Sequence, residues 1–254
     1  MSSSFPRLPE LIARRGNVAE FPENTLPALR SALELGCSHL SVDVQLSADH
    51  VPVLLQDASL KRTAGIDRNA LEMTWSELAE VRVNEVERLR NRYTDVGIPS
   101  LAQAASLIAS HPGATLFAEL KRSSLRQAGQ ELMVRRVLEV LKPIARQCVL
   151  TSFDLATVHH IRQVSGLRVG WILPDYSNLS ALKCEALGPD YVFCDHALLT
   201  ESVSRLWRGS WRWAIYEVNH RKLALDLATR EAKLVETASL REMLRQFRDM
   251  KSRI

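Results

Sequence analysis

The chain has 254 residues, 46% hydrophobic and 24% charged, with a formal net charge of +4 and a pI near 9.0. This is the balance of an ordinary globular protein with enough apolar residues for a sizeable core. The mild basicity suits a protein that meets phosphate. It is not a nucleic-acid signature, because the arginines are spread along the chain rather than gathered with aromatics. The amino-terminal stretch MSSSFPRLPE lacks an apolar core, and no apolar run approaches about 18 residues. Neither secretion nor a membrane span is supported, and a cytoplasmic location is expected. No Ser- or Gly-rich linker divides the chain, so one domain over residues 1–254 is expected, with an accessory insertion at about 47–99. Cys37, Cys148, Cys184 and Cys194 lack C-x-x-C spacing and sit among apolar neighbours, which points to buried free thiols rather than disulfides or zinc.

The first strand is ELIARR, ending at Gly16; a helix follows from about Thr25 to Leu35, with Leu26, Leu29 and Leu33 on one face, Pro27 in its first turn and Gly36 at its end. HLSVDVQL is the second strand. VPVLLQD follows after only Ser47 to His50, whereas a parallel crossover needs about a dozen residues or more, so these two must pair as a hairpin. Helices are expected after Thr74 and after Ser100, with VNEVERLRNRYTDVGIPS between them as a loop or short helical insertion.

Beyond Ser100 the alternation becomes regular. ATLFAELK precedes the helix SSLRQAGQELMVRRVLEVLK, CVLTSF precedes DLATVHHIRQVSG, and LRVGWIL precedes SNLSALKCEALG. DYVFCDH precedes TESVSRLWRG, WRWAIYEV precedes HRKLALDLATRE, and AKLVET precedes SLREMLRQFRDMK. Without the hairpin strand these make eight strand-then-helix units, the signature of a (β/α)8 TIM barrel, with a doubly wound open sheet as the alternative. In a barrel the strand C-termini face the working mouth. Those ends carry Arg14, Arg15 and Gly16; Ser41, Asp43 and Gln45; Glu119 and Lys121; Ser152 and Asp154; Asp195 and His196; Glu217 and Asn219; and Glu236.

The segments ARRG with PENT, SVDVQLSADHVPVLLQD and ASLKRTAG, followed by AELK, TSFD and IYEVN, resemble the glycerophosphodiester phosphodiesterase family. Order and spacing agree from about residue 11 to 240. The resemblance implies hydrolysis of glycerophosphodiesters to glycerol 3-phosphate and an alcohol. It further implies a divalent cation, Mg2+ or Ca2+, held by a Glu-x-Asp pair and a later Glu, two acid/base histidines, and an Arg and a Lys that grip the phosphate. Carboxylates are hard ligands suited to such ions, and histidine can exchange a proton near neutral pH.

This sequence departs from that pattern where chemistry is most demanding. The two family histidines fall on Arg14 and Gln56, and the first metal-binding Glu falls on Ser41. Arg15 and Lys121 remain as the implied phosphate residues, Asp43 and Glu119 as the implied metal ligands, and Glu23 and Asn24 as supporting loop residues. Guanidinium stays protonated and an amide does not titrate, so neither replaces a proton shuttle. With two carboxylates and a serine, the cation is expected to be weakly bound or absent, and Arg14 is expected to bridge Asp43 and Glu119 in its place. The resulting expectation is a member with lost or strongly reduced hydrolysis that keeps a basic mouth for a small phosphorylated ligand or glycerophosphodiester. The alternatives are an active phosphodiesterase with a rearranged site, drawing on His196 or Glu217, and a non-catalytic scaffold.

Plainer roles are available for several of these residues. Asn24 or Thr25 can cap the first helix, and Asp43 and Glu119 can form interior ion pairs with Arg14 and Lys121. Asp57 and Arg62 can hold the loop after the hairpin, and Trp171, Trp211 and Trp213 can be core or rim packing. His159 and His160 lie inside a helix, and Leu240, Met243, Leu244 and Phe247 form the apolar face of the last one.

Overall fold

The computed structural model describes residues 8–251; most of the polar amino-terminal stretch read above lies outside the described residues. Eight parallel strands form a closed barrel: β1 (Glu10–Ala13), β2 (His39–Leu46), β4 (Thr115–Leu120), β5 (Cys148–Ser152), β6 (Arg168–Ile172), β7 (Tyr191–Asp195), β8 (Arg212–Tyr216) and β9 (Leu234–Thr237). Closure rests on β1, which pairs with β9 through Glu10↔Leu234 to Ala13↔Thr237 and with β2 through Ile12↔His39 and Ala13↔Leu40. The open-sheet alternative is thereby excluded. β3 (Pro52–Leu54) is the expected hairpin strand, antiparallel to β2 with Val44 opposite Leu54 and Leu46 opposite Pro52.

Alternation along each strand divides the side chains between two cores. Leu40, Val42, Val44 and Leu46 of β2, like Leu116, Ala118 and Leu120 of β4, pack outward against the helices. Ile12, Phe117, Val149, Ile172, Phe193, Ala214 and Leu234 fill the barrel interior, where Phe117 meets Phe193 edge to face at 5.5 Å. The same parity carries Arg14 beyond Ile12, Glu119 and Lys121 beyond Phe117, and Glu236 beyond Leu234 to the open end of the lumen. Val53, Leu55, Leu60, Met73, Leu78 and Val81 form a separate small core beneath the insertion.

The main helices are α1 (Leu26–Glu34), α5 (Leu101–Ala109), α7 (Gln130–Leu141), α8 (Leu155–Val164), α9 (Asn178–Leu187), α10 (Arg221–Thr229) and α11 (Leu240–Lys251), with short α2 (Lys61–Ala64), α3 (Trp75–Ala79), α4 (Val86–Leu89) and α6 (Arg122–Ala128). Their starts follow capping chemistry. Thr25 accepts from Ala28 N, Asp154 accepts from Thr157 N, and Thr74 and Ser100 form reciprocal capping boxes with Glu77 and Gln103. Leu240, Met243 and Phe247 of α11 are buried, and the four cysteines are buried free thiols.

Two expected helices are altered. SSLRQAGQELMVRRVLEVLK is broken into α6 and α7 because Gly129, at φ 84°, leaves the helical region. TESVSRLWRG is not a helix: after a short 3-10 turn at His196–Leu198 the chain runs irregularly, and Trp207 stacks on Tyr176 at 4.1 Å while its carbonyl accepts from the Trp213 indole. The aromatic contact outweighs the weak helical periodicity.

The turn from β1 into α1 depends on Gly16. Its φ is +83°, and a Cβ there would lie 2.6 Å from the Ala28 carbonyl carbon. Gly16→Ala is therefore expected to destabilise the fold by about 2 kcal/mol or more, through strain and a clash with backbone that cannot move aside. Urea unfolding of the variant against the parent checks this.

Candidate functional site

The lumen opens into a cavity of about 140 Å3 at the C-terminal end of the strands. Its lining has two halves. Arg14, Arg15, Ser41, Asp43, Gln56, Glu119, Lys121 and Glu236 form a charged wall, and Phe117, Phe153, Ile172, Phe193 and Tyr216 an apolar one. All of the residues singled out for catalysis, phosphate and metal therefore meet at one place. Glu23 and Asn24 lie directly behind them.

Asp43 is the hub. The Asn24 amide donates to its Oδ2 at 2.9 Å, and the Asp43 backbone N–H donates back to Asn24 Oδ1 at 3.0 Å. Arg15 Nε lies 2.8 Å from Oδ2 and Lys121 Nζ 3.3 Å from Oδ1. Burial opposes ionisation of Asp43, but Lys121, Arg15 and the Asn24 hydrogen bond outweigh it and hold the carboxyl below its usual range. Asn24 reaches this position through a left-handed φ of 56°, so it is a positioner of Asp43, and Thr25 alone caps α1.

Lys121 is held from three sides: Asp43, Glu119 Oε1 at 2.8 Å and Gln56 Oε1 at 2.9 Å. An ammonium has three protons, and each has an acceptor. Burial would lower its pKa, but the two carboxylates prevail and keep it charged. The Glu119 carboxyl responds in the opposite sense and is pushed up to about 7, by burial first and then by repulsion from Asp43. Asp43, served by Arg15 and Asn24 as well as Lys121, keeps the lower pKa of the two carboxyls.

Arg14 does not bridge Asp43 and Glu119; the structure gives that place to Lys121. Arg14 sits one residue past β1 and reaches across the end of β9 to Glu217, with Nη1 2.6 Å from Oε1. Its side chain is 26% exposed and that of Glu217 44%, a setting in which an ion pair contributes about 0–1 kcal/mol. Arg15 is more tightly held. Besides Asp43 it meets Glu23 at 2.9 Å, and Glu23 also receives Arg62 at 2.5 Å, itself paired with Asp57 at 2.7 Å. The Glu23 backbone N–H donates to Glu85 of the insertion.

Ser41 accepts from the Arg15 backbone N–H at 3.3 Å and lies near the carboxyl of Glu236 from β9, whose charged form it favours. Burial raises the pKa of Glu236, with Asp43 adding to the rise and Arg14 and Arg15 opposing it. The position of Glu236 at a strand end was the signal for its place here; its proximity to Ser41 across β1 had none. Phe117 and Phe193 lie within strands and had no signal either. His196 is not part of this lining: its Nδ1 faces the Tyr216 carbonyl at 3.3 Å, and His159 and His160 lie on α8.

Three carboxylates, Asp43, Glu119 and Glu236, line the cavity. Among the described residues no three acidic, His or Cys side chains are grouped to hold a metal, and Asp43 and Glu119 are already joined through an ammonium. Among the described residues, too, no helix is long and apolar enough to cross a membrane.

A model described as the glycerophosphoryl diester phosphodiesterase family matches residues 15–241. The chain is 32% identical to glycerophosphodiester phosphodiesterase 1 of Homo sapiens over 152 residues, covering 60% of this chain and 45% of that protein. The corresponding Bos taurus protein is 26% identical over 152 residues, with the same coverage. The matched part thus spans less than half the length of these relatives. Among solved structures, an Oleispira antarctica phosphodiesterase in complex with the product sn-glycerol-3-phosphate superposes with a TM-score of 0.81 at 23% identity, covering 95% of this chain and 97% of that one. A Silicibacter pomeroyi relative superposes with a TM-score of 0.80 at 21% identity over 95% of each. These likenesses agree with the closed barrel seen here.

Lys121→Met, which leaves Asp43 and Glu119 without their shared cation, is expected to destabilise the protein by about 3–5 kcal/mol in denaturant unfolding. A pH series provides a separate check. The folded chain keeps the Glu119 proton up to about pH 7, whereas the unfolded chain releases it near the ordinary value of 4.5. In that window the folded state binds more protons, so stability declines as pH rises. The stability of the parent relative to Glu119→Gln should therefore fall from about pH 4.5 to 7 and level off above it.

Proposed function

The chain belongs to the glycerophosphoryl diester phosphodiesterase family, and from that membership we propose that its barrel mouth binds a small phosphorylated ligand of the glycerophosphodiester type while metal-dependent hydrolysis is lost or strongly reduced. The observation that carries this reading is what stands at the two histidine positions: Arg14, paired with Glu217, and Gln56, whose Oε1 accepts from the Lys121 ammonium between Asp43 and Glu119. A cation supplied by the chain balances the carboxylates, and the residue at the second histidine position serves that cation instead of exchanging protons.

The first histidine position supports the same reading. Arg14 offers a permanent positive charge, which attracts phosphate and cannot take a proton from a nucleophile or return one to a leaving alkoxide. Acid/base catalysis contributes typically about 10^2 to 10^4 in rate, so a site without it would turn over little even with substrate bound. Binding needs less: the charged wall to meet the phosphate, and the apolar wall to exclude water from the carbon skeleton. The product complex of the Oleispira antarctica relative supports glycerol 3-phosphate as the first ligand to try.

Glycerophosphocholine hydrolysis in Mg2+, Ca2+ and Mn2+ is expected to show no turnover above an Arg15→Ala control; clear turnover would establish an active, rearranged site instead. Thermal unfolding with sn-glycerol 3-phosphate should show stabilisation, about 2.7 kcal/mol at 100 times the dissociation constant. No stabilisation by any phosphate ester would favour the scaffold reading.

A further inference from the structure

The three cations at the cavity differ in what they have left to give. Lys121 is saturated by Asp43, Gln56 and Glu119. Arg15 is clamped between Glu23 and Asp43, both nearly inaccessible to solvent. Lys121 cannot turn to a ligand without leaving a buried carboxylate unpaired, and Arg15 can offer only the donors left over from its clamp, from a fixed position. Arg14 makes one ion pair among the described residues, with Glu217, through one corner of a guanidinium that carries five donors. Like Arg15, it borders two spaces. It lines the inner cavity and a second hollow of about 450 Å3 shared with Arg15, Glu23, Arg62 and Arg88.

We infer that Arg14 is the movable side chain that closes on the ligand's phosphate, in addition to the fixed Arg15, and that Glu217 is its resident competitor, a carboxylate held where a phosphate oxygen will sit. Both residues follow directly on strands that flank β9, so the pair spans the rim above Glu236, and the backbone N–H groups of Arg14 and Val218 are tied to Thr237 and Glu236 on that strand. The anchored backbone fixes where each side chain starts, while the tips remain partly in water. An arriving phosphate monoester or diester exchanges one ion pair for another: Glu217 turns outward to solvent, and the Arg14 fork takes two phosphate oxygens. No bond is made or broken. Affinity is then set by a contest for one guanidinium between the phosphate and the resident acids, Glu217 in contact with it and Glu236 below. This inference rests on the reading of the mouth as a phosphate site and adds which residue binds and what opposes it.

Calorimetric titration with inorganic phosphate of the full chain and of Glu217→Gln, Arg14→Gln and the double variant tests it. Glu217→Gln should bind about fivefold more tightly, because the competitor is gone. Arg14→Gln should bind about tenfold more weakly or worse. Adding Glu217→Gln to Arg14→Gln should bring no gain; a gain of the same size there would mean that any lost negative charge at the rim suffices, and would overturn the inference. Binding by the parent that neither single variant changes would also overturn it and leave the phosphate reading standing. Failure of the parent itself to bind phosphate would sink both. Should Arg14→Gln fold poorly by near-ultraviolet circular dichroism, Arg14→Lys keeps the charge without the fork, and an affinity equal to the parent's would count against the assignment.

Discussion

The arrangement of the mouth depends on keeping Asp43 ionised inside a barrel. An isolated carboxylate there would cost several kcal/mol of desolvation. Asn24, Arg15 and Lys121 together offset it. Each of these is fixed by something else: Asn24 by the turn that Gly16 permits, Arg15 by Glu23, Lys121 by Glu119 and Gln56. Satisfying one buried charge thus recruits the loop after β1, the end of β4 and the residue after the hairpin into a single network.

This dependence separates the residues of the mouth into two kinds. Arg15 and Lys121, which carry the phosphate-gripping roles implied by resemblance, are bound up in holding the wall together. Arg14, at a position where the resemblance implies a histidine, is held only at the rim. The division follows from depth. Arg15 and Lys121 are 14% and 13% exposed as side chains, about half the exposure of Arg14, so their partners are surrendered at greater cost.

Much of this was legible in the sequence. The eight units were readable because strands buried on both faces are short apolar runs and their caps are chemically distinct, as at Thr74 and Ser100. The four-residue link after β2 excluded a crossover and so identified β3. Strand-end positions pointed to Asp43, Glu119, Lys121 and Glu236, which line one cavity, and also to Asp154, Asp195 and His196, which do not. What was not legible was partner choice. Arg14 could reach several carboxylates, and its pairing with Glu217 depends on β8 and β1 flanking β9, a closure that periodicity does not express. The helix expected after β7 failed for a similar reason, since Trp207 is captured by Tyr176 from a neighbouring loop.

The insertion between β2 and α5 carries a small core of its own, separate from the two cores of the barrel. Yet it delivers Gln56 to Lys121, Glu85 to the Glu23 backbone and Arg62 to the Glu23 carboxylate. Its interior can therefore be repacked without disturbing the barrel's layers, while each such change re-aims side chains at the entrance. The barrel and its entrance thus answer to different constraints, one to closure of the sheet and the other to a wall that has a core of its own yet is tied to the buried charges.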